Sequence, residues 1–409
     1  MQWEQILATR ASRMKASEIR ELLKLLAQPD IISFAGGIPD PNLAPAKEFQ
    51  AAYSAIFTSD ERDAALQYSV SEGYVPLRDW IVTEMARLGI PCDIDNIMIT
   101  SGSQQALDYL GKLLLSPQDT ALVGWPTYLG ALGAFNAYEP NYDRLDANTN
   151  RSAQDYAETA KANGGRVKFA YMSVDFANPT GETLNRAERD RVLDLADDMN
   201  CAVIEDAAYQ TLRYDGEVIP PILALEIARK GSIEEARTIY CGSFSKTLAP
   251  GLRVGWVCAA KPVISRLVLM KQAADLHTPT INQIAITKIA TTIFDSHVNK
   301  IRATYRTRRD RMLQALTDHM PDGIQWTQPE GGMFIWLTLP THMNGADLLA
   351  QSLETQKVAF VPGSAFFADG SGSNTLRLSF SLLDEATIDE GIRRLGVLFK
   401  TVATQETAT

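Results

Sequence analysis

Residues 243 to 255 read Ser243-Phe244-Ser245-Lys246-Thr247-Leu248-Ala249-Pro250-Gly251-Leu252-Arg253-Val254-Gly255. The segment follows one short apolar run, Thr238-Ile239-Tyr240, and leads into another, Val254 to Cys258. A lysine set between hydroxyls, just ahead of a Pro-Gly turn, is an odd thing to place after a buried strand. Ser243, Ser245 and Arg253 supply the donors that an organic phosphate needs, and a guanidinium grips such a group through two bonds. An amine held near that cation and out of bulk water has a depressed pKa, as an imine-forming nucleophile requires. A solvated Ser/Lys loop is the plainer reading of Ser-x-Ser-Lys alone. The spaced Pro-Gly-x-Arg-x-Gly argues against it.

Working outward, short apolar runs alternate with helical stretches from about Asn96 to Ala260. The runs are Ile97 to Ile99, Ala121 to Val123, Val167 to Met172, Ala202 to Ile204 and the two that flank the lysine segment. This is the pattern of an α/β layer, and near-continuous apolar runs suit strands covered on both faces. Beyond residue 290 a charged helix is expected over Asn299 to Thr317. Strands follow over Phe334 to Leu339 and Thr375 to Phe380, a second block of α+β type. The expected division is an N-terminal arm and helix (1–45), a large domain (46–290) with a mostly parallel central sheet, and a smaller α+β domain (291–409). Ser17, Glu21 and the leucines to Leu26 predict a first helix ending near Pro29. The arm is expected to pack with the small domain and the active site.

The unusual residues fall in loops at strand ends, where ligands bind in open α/β sheets. Ser101-Gly102-Ser103-Gln104-Gln105 lies between a strand and a helix, and a helix N-terminus suits a phosphate dianion. Pro126-Thr127-Tyr128 follows the next strand. Asn178-Pro179-Thr180-Gly181 is by itself just a turn, because each residue suits one. Glu205-Asp206-Ala207-Ala208-Tyr209 closes another strand. Arg377, in the alternating run Thr375 to Ser379, is costly if it points inward unpaired.

Together these segments resemble fold type I pyridoxal-phosphate-dependent aminotransferases of class I/II, in the family's order and from Ser17 to Arg377. The resemblance implies that Lys246 binds pyridoxal 5'-phosphate covalently and is catalytic, with Asp206 and Tyr209. It assigns the phosphate to Ser103, Gln104, Ser243, Ser245 and Arg253, and the ring face to Tyr128. Asn178 and Tyr209 would meet the phenolic oxygen and Asp206 the ring nitrogen, which it keeps protonated. Gln67-Tyr68-Ser69 resembles the segment whose tyrosine reaches the partner subunit's phosphate, which implies a homodimer with shared active sites. Ala208 departs from the proline frequent there, which bears on how Tyr209 is aimed. Ser17-x-Ile19-Arg20 and Phe34-Ala35-Gly36-Gly37-Ile38-Pro39-x-Pro41 resemble the 2-aminoadipate/kynurenine aminotransferase group. Arg377, Asn178, Gly37 and Arg20 are then the substrate-binding residues, with Arg377 on the α-carboxylate. The implied reaction moves an amino group between an L-amino acid (2-aminoadipate, aromatic or aliphatic) and a 2-oxo acid such as 2-oxoglutarate. A β-lyase or decarboxylase on the same fold stays open, because the same cofactor residues serve those reactions.

Composition agrees with this class and narrows the rest. The chain of 409 residues is 45% hydrophobic and 22% charged, which suits a folded protein of two domains. Its formal net charge of -10 argues against nucleic-acid or anionic-membrane partners. Neither the four cysteines nor the four histidines show ligand or disulfide spacing, so no metal is expected and a reducing compartment is. Met1 to Arg20 lacks a signal-like apolar core, and Glu4 and Glu18 weigh against an organellar presequence. A cytoplasmic location is expected. No phosphate-loop or dinucleotide fingerprint occurs, and no basic DNA-binding helix-turn-helix precedes the motifs.

Overall fold

The computed structural model describes residues 3–14, 30–146 and 151–406. Its centre is a sheet of seven strands: β1 (Ile97–Thr100), β2 (Thr120–Val123), β3 (Asn141–Arg144), β4 (Val167–Met172), β5 (Ala202–Asp206), β6 (Thr238–Ser243) and β7 (Gly255–Cys258). The strand order is β1-β7-β6-β5-β4-β2-β3. Only β7 runs against its neighbours; the other ladders are parallel. Strands β1, β2, β6 and β7 are buried at every position, the state their unbroken apolar runs call for. The edge strand β3 is the one the apolar pattern does not announce. Its Asn-Tyr-Asp-Arg sequence is only partly buried and is held by its backbone ladder to β2.

Direction decides where chemistry can gather. Parallel β1, β2, β4, β5 and β6 all end at one edge of the sheet, so the loops after Thr100, Val123, Met172, Asp206 and Ser243 open side by side. Antiparallel β7 begins at that same edge, because Gly255 pairs with both Thr100 and Ser243. Arg253, two residues earlier, is thereby delivered to the same place.

The second sheet, in the order β10-β11-β9-β8, is antiparallel and contains β8 (Gln325–Trp326), β9 (Phe334–Thr338), β10 (Val361–Pro362) and β11 (Thr375–Ser379). The helix expected over 299–317 is the second half of a 40-residue helix, Thr280–His319. Its first half is rich in Ile, Ala and Thr and buries Ile284, Ile286 and Ile289 among the residues around β1 and β7. Its second half sets Tyr305, Met312 and Leu316 into the core under the second sheet. Most of the charges that make a helix legible are in that second half, and residue 290 falls within the continuous element.

Ile32–Ser33 forms a parallel pair with Val358–Ala359. Phe34 extends it, donating its N–H to Ala359 O and accepting from Ser379 N, each at 2.8 Å. The segment that follows is therefore fastened beside β11. The helix expected from Ser17 to Pro29 lies outside the described residues. Among the described residues no helix is long and apolar enough to cross a membrane.

Candidate active site

At the end of β1 the chain turns through Gly102 (φ 82°) into helix α1 (Ser103–Leu114). A side chain at Gly102 would run into the Arg253 guanidinium, so glycine serves both the left-handed turn and the close approach. Arg253 donates from Nη2 to Ser101 O at 3.2 Å, which ties the two loops together. Ser243 Oγ accepts from Ser245 N at 3.1 Å and shapes the loop after β6. The helix N-terminus, two serines and the guanidinium thus surround one end of a hollow with about 540 Å³ of open space. Gln104 contributes differently from expectation. Its side-chain amide donates to Gly130 O at 2.7 Å and its oxygen accepts from Tyr128 Oη at 3.5 Å, which leaves its backbone for a ligand.

Deeper in, Asp206 closes β5. Its Oδ2 accepts from Tyr171 Oη at 2.9 Å, while Oδ1 is buried without a partner. Burial raises its pKa to about 6, against the opposing pull of the Tyr171 hydroxyl, the Ala208 amide and the Lys246 charge. A buried carboxylate oxygen with nothing to accept from is expensive. A cationic ring nitrogen is the kind of group that would satisfy it. Neighbouring Glu205 points to the other face and is absorbed structurally, accepting from the N–H groups of Ile222 and Leu223 at 2.8 and 3.0 Å.

Lys246 sits across from Asp206, with its Nζ donating to Gly37 O at 3.0 Å and lying 5.6 Å from the centre of the Tyr209 ring. Its pKa is lowered to about 8, first by the protein packed around it and then by the charges of Arg377 and Arg253. Gly37 has no room for more: a Cβ there would lie 2.7 Å from the Phe334 ring. Arg377, on β11, is 1% exposed. It donates to Asn178 Oδ1 at 2.7 Å and Ala35 O at 2.9 Å, and its Nε has no partner. Its guanidinium stacks over Phe334 at 4.2 Å and Phe366 at 4.9 Å. Burial lowers its pKa to about 10. Among the described residues no carboxylate pairs with it, so its charge faces whatever anion the cavity receives.

Ser103, Gln104, Tyr128, Asn178, Asp206, Tyr209, Ser243, Ser245, Lys246 and Arg253 all line this one hollow. Gly37 and Arg377 reach it through Lys246 and Asn178. Tyr68 does not line it; it is 78% exposed, with its ring edge-on to His277 at 6.1 Å. Arg20 lies outside the described residues. Two lining or supporting residues were not anticipated. Ser173, whose buried Oγ has no partner, lines the wall just beyond β4, and Tyr171 sits behind Asp206. No motif marks either, since both fall in or beside an ordinary apolar strand. A larger hollow, about 890 Å³, adjoins on the far side of Tyr128, between Arg144, Leu145 and Glu182. Among its described lining residues there is neither a lysine nor Asp206, so the chemistry belongs to the smaller one.

Donors for a phosphate at one end, a solitary acid oxygen at the other and a neutralisable amine between them match pyridoxal phosphate group by group. No cluster of described residues could hold a metal ion. A sequence profile described as aminotransferase class I and II matches residues 45–395. The aromatic-amino-acid aminotransferase 1 of Thermococcus litoralis is 41% identical, covering 98% of this chain and 95% of its own. The 2-aminoadipate transaminase of Thermus thermophilus is 40% identical, covering 98% of both chains. The crystal structure of the alpha-aminoadipate aminotransferase of Thermus thermophilus, complexed with N-(5'-phosphopyridoxyl)-L-leucine, superposes with a TM-score of 0.88 at 37% identity, over 99% of this chain and 100% of that one.

Proposed function

We propose, from the premise that this chain belongs to the class I and II aminotransferases, that its amino donors are 2-aminoadipate, aromatic or aliphatic L-amino acids and its acceptor a 2-oxo acid such as 2-oxoglutarate. The chain is a pyridoxal-phosphate-dependent aminotransferase of fold type I. The observation that carries the reading is Arg377: a buried cation, free of any acid among the described residues, beside the one amine that lines the cavity. Relatives named for aromatic amino acids and for 2-aminoadipate supply the donor classes.

In this reading Ser103, Ser243, Ser245, Arg253 and the backbone at Gln104 hold the phosphate, while Tyr128 covers one ring face. The cofactor, once bound, supplies an aldehyde that condenses with amines and a cationic ring that accepts electron density. Asp206 holds the ring nitrogen's proton, and Asn178 and Tyr209 meet the phenolic oxygen. Arg377 and Asn178 fix the substrate carboxylate, with Gly37 keeping the floor clear. Lys246 Nζ, neutral in part near pH 8, takes the proton from the substrate's Cα and later returns one, acting as base and then acid.

Asp206 gives a pH dependence with a definite sign. Its carboxylate is raised to about 6, so it is charged above that pH and neutral below it. Cofactor-stripped protein should bind pyridoxal phosphate more weakly as pH falls through 6, with the Asp206 contribution amounting to up to about tenfold per unit. The cofactor's phosphate also titrates near pH 6. The Asp206→Asn variant isolates the difference: a titration series on it should show a shallower decline than the parent. Equal slopes would detach Asp206 from the ring.

Two further elements complete the proposal. The enzyme acts as a cytoplasmic homodimer in which Tyr68 reaches the partner's phosphate; support comes from its exposure together with that of Phe57, Leu66, Val70 and Leu276, an apolar set that water covers poorly. The arm (1–45), large domain (46–290) and small domain (291–409) are its working parts. The deciding experiment is a panel of amino donors with 2-oxoglutarate, run on the parent and on Arg20→Ala. The parent should use 2-aminoadipate and aromatic donors well. The variant should lose those while keeping most of its activity on alanine; equal losses on every donor would leave Arg20 a support of the fold.

A further inference from the structure

We infer that Tyr171 is a positioning residue for the cofactor ring: its hydroxyl, 2.9 Å from Asp206 Oδ2, pins that carboxylate so that Oδ1 alone is left for the ring nitrogen. The inference rests on the assignment of Asp206 to that nitrogen.

The placement follows from register. Tyr171 on β4 pairs with Ile204 on β5, and Asp206 lies two residues further along β5, on the same sheet face as Ile204. A tyrosine at that position reaches forward over two residue positions to meet the acid. Its ring is fully buried and rests edge-on against Phe135 at 5.6 Å, so the hydroxyl has little freedom to turn elsewhere. Burial and the adjacent acid hold the phenol well above its ordinary pKa. It is therefore a donor at every pH the protein meets, and never competes with the ring nitrogen for the proton.

Two consequences separate this from simple packing. A carboxylate with one oxygen already bonded presents a single acceptor in a fixed direction, which aims it. The same bond lowers the pKa of Asp206 against the burial that raises it, so the acid is still charged at neutral pH when the cofactor arrives. Without the hydroxyl, Asp206 would keep only the Ala208 amide and the more distant charge of Lys246 as counterweights.

The test is a double-mutant cycle on cofactor binding, using Tyr171→Phe, Asp206→Asn and the double variant. Phenylalanine keeps the ring packing, so the fold is preserved. Each protein is stripped of cofactor and titrated with pyridoxal phosphate from pH 5.5 to 9, followed by absorbance. Tyr171→Phe should bind about ten- to hundredfold more weakly at neutral pH. The pH at which its affinity begins to fall should move upward. Asp206→Asn should weaken binding as well, and adding Tyr171→Phe to it should change the affinity by less than about twofold. An unaltered affinity and pH profile in Tyr171→Phe, with Asp206→Asn impaired, overturns the role of Tyr171. So does a Tyr171→Phe effect that persists at full size in the Asp206→Asn background, because the tyrosine would then act on something other than the acid. If Asp206→Asn alone changes nothing, the assignment of Asp206 falls first and this inference with it.

Discussion

Replacing Lys246 with alanine is expected to lower turnover by about four orders of magnitude or more, because one side chain performs two separate tasks. Among the described residues its amine is the only one lining the cavity, and it stands ready as a nucleophile, lowered to about 8 by surrounding protein and two guanidinium charges. Among the described lining residues the same amine is the only base suited to take the Cα proton, since Asp206 is engaged with Tyr171 and Tyr209 is held firmly protonated by burial. Position-specific proton transfer alone is worth about 10² to 10⁴ in rate. The phosphate end does not depend on Lys246, so the variant should still bind cofactor, though without a covalent bond. Borohydride reduction followed by intact-mass measurement should add a phosphopyridoxyl group to the parent and none to the variant. Rapid mixing with an amino donor should show a half-reaction slowed to the same degree as turnover. Parent-like rates, or a reducible adduct at another residue, would remove Lys246 from the centre of the mechanism.

What could be read in advance divides along a physical line. The loops after β1, β2, β4, β5 and β6 were legible because turn chemistry and strand ends are local properties. Parallel topology then brings them together without further instruction. Tyr171 was not legible, because its meaning lies in the pairing of β4 with β5, and within its own strand it is one more apolar residue. Ser173 was hidden for the same reason. Strand β3 was missed because an edge strand needs no apolar run, only a neighbour for its backbone. The long helix was seen from its charged half and not from its first half, where burial on several sides removes the periodicity that marks an amphipathic helix. Gln104 lines the cavity, but its side chain turns to Gly130 and Tyr128, a choice that depends on the start of a helix 26 residues away.

Arg377 carries the second large effect. Its guanidinium is buried between two phenylalanine rings, bonded to one amide oxygen and one carbonyl, and has no acid to balance it among the described residues. A cation left in that state destabilises the empty protein, and it is tolerable where a ligand carboxylate completes it. Removing one partner of such a buried pair costs about 3 to 5 kcal/mol, which corresponds to roughly 10² to 10⁴ in kcat/KM. Arg377→Met should therefore lose that much on every amino acid tested while its apo form melts no lower than the parent, since the unpaired charge is gone. Arg377→Lys should recover only part of the loss, because an ammonium lacks the planar fork that grips both carboxylate oxygens. The discriminating substrate is an amine with the same side chain and no carboxylate, phenethylamine against phenylalanine. The parent should prefer phenylalanine strongly, and Arg377→Met should narrow that preference by about the same factor it lost on the amino acid. A variant that slows both substrates equally would mean that Arg377 braces Asn178 and the small domain, and that the substrate carboxylate is held by some other group.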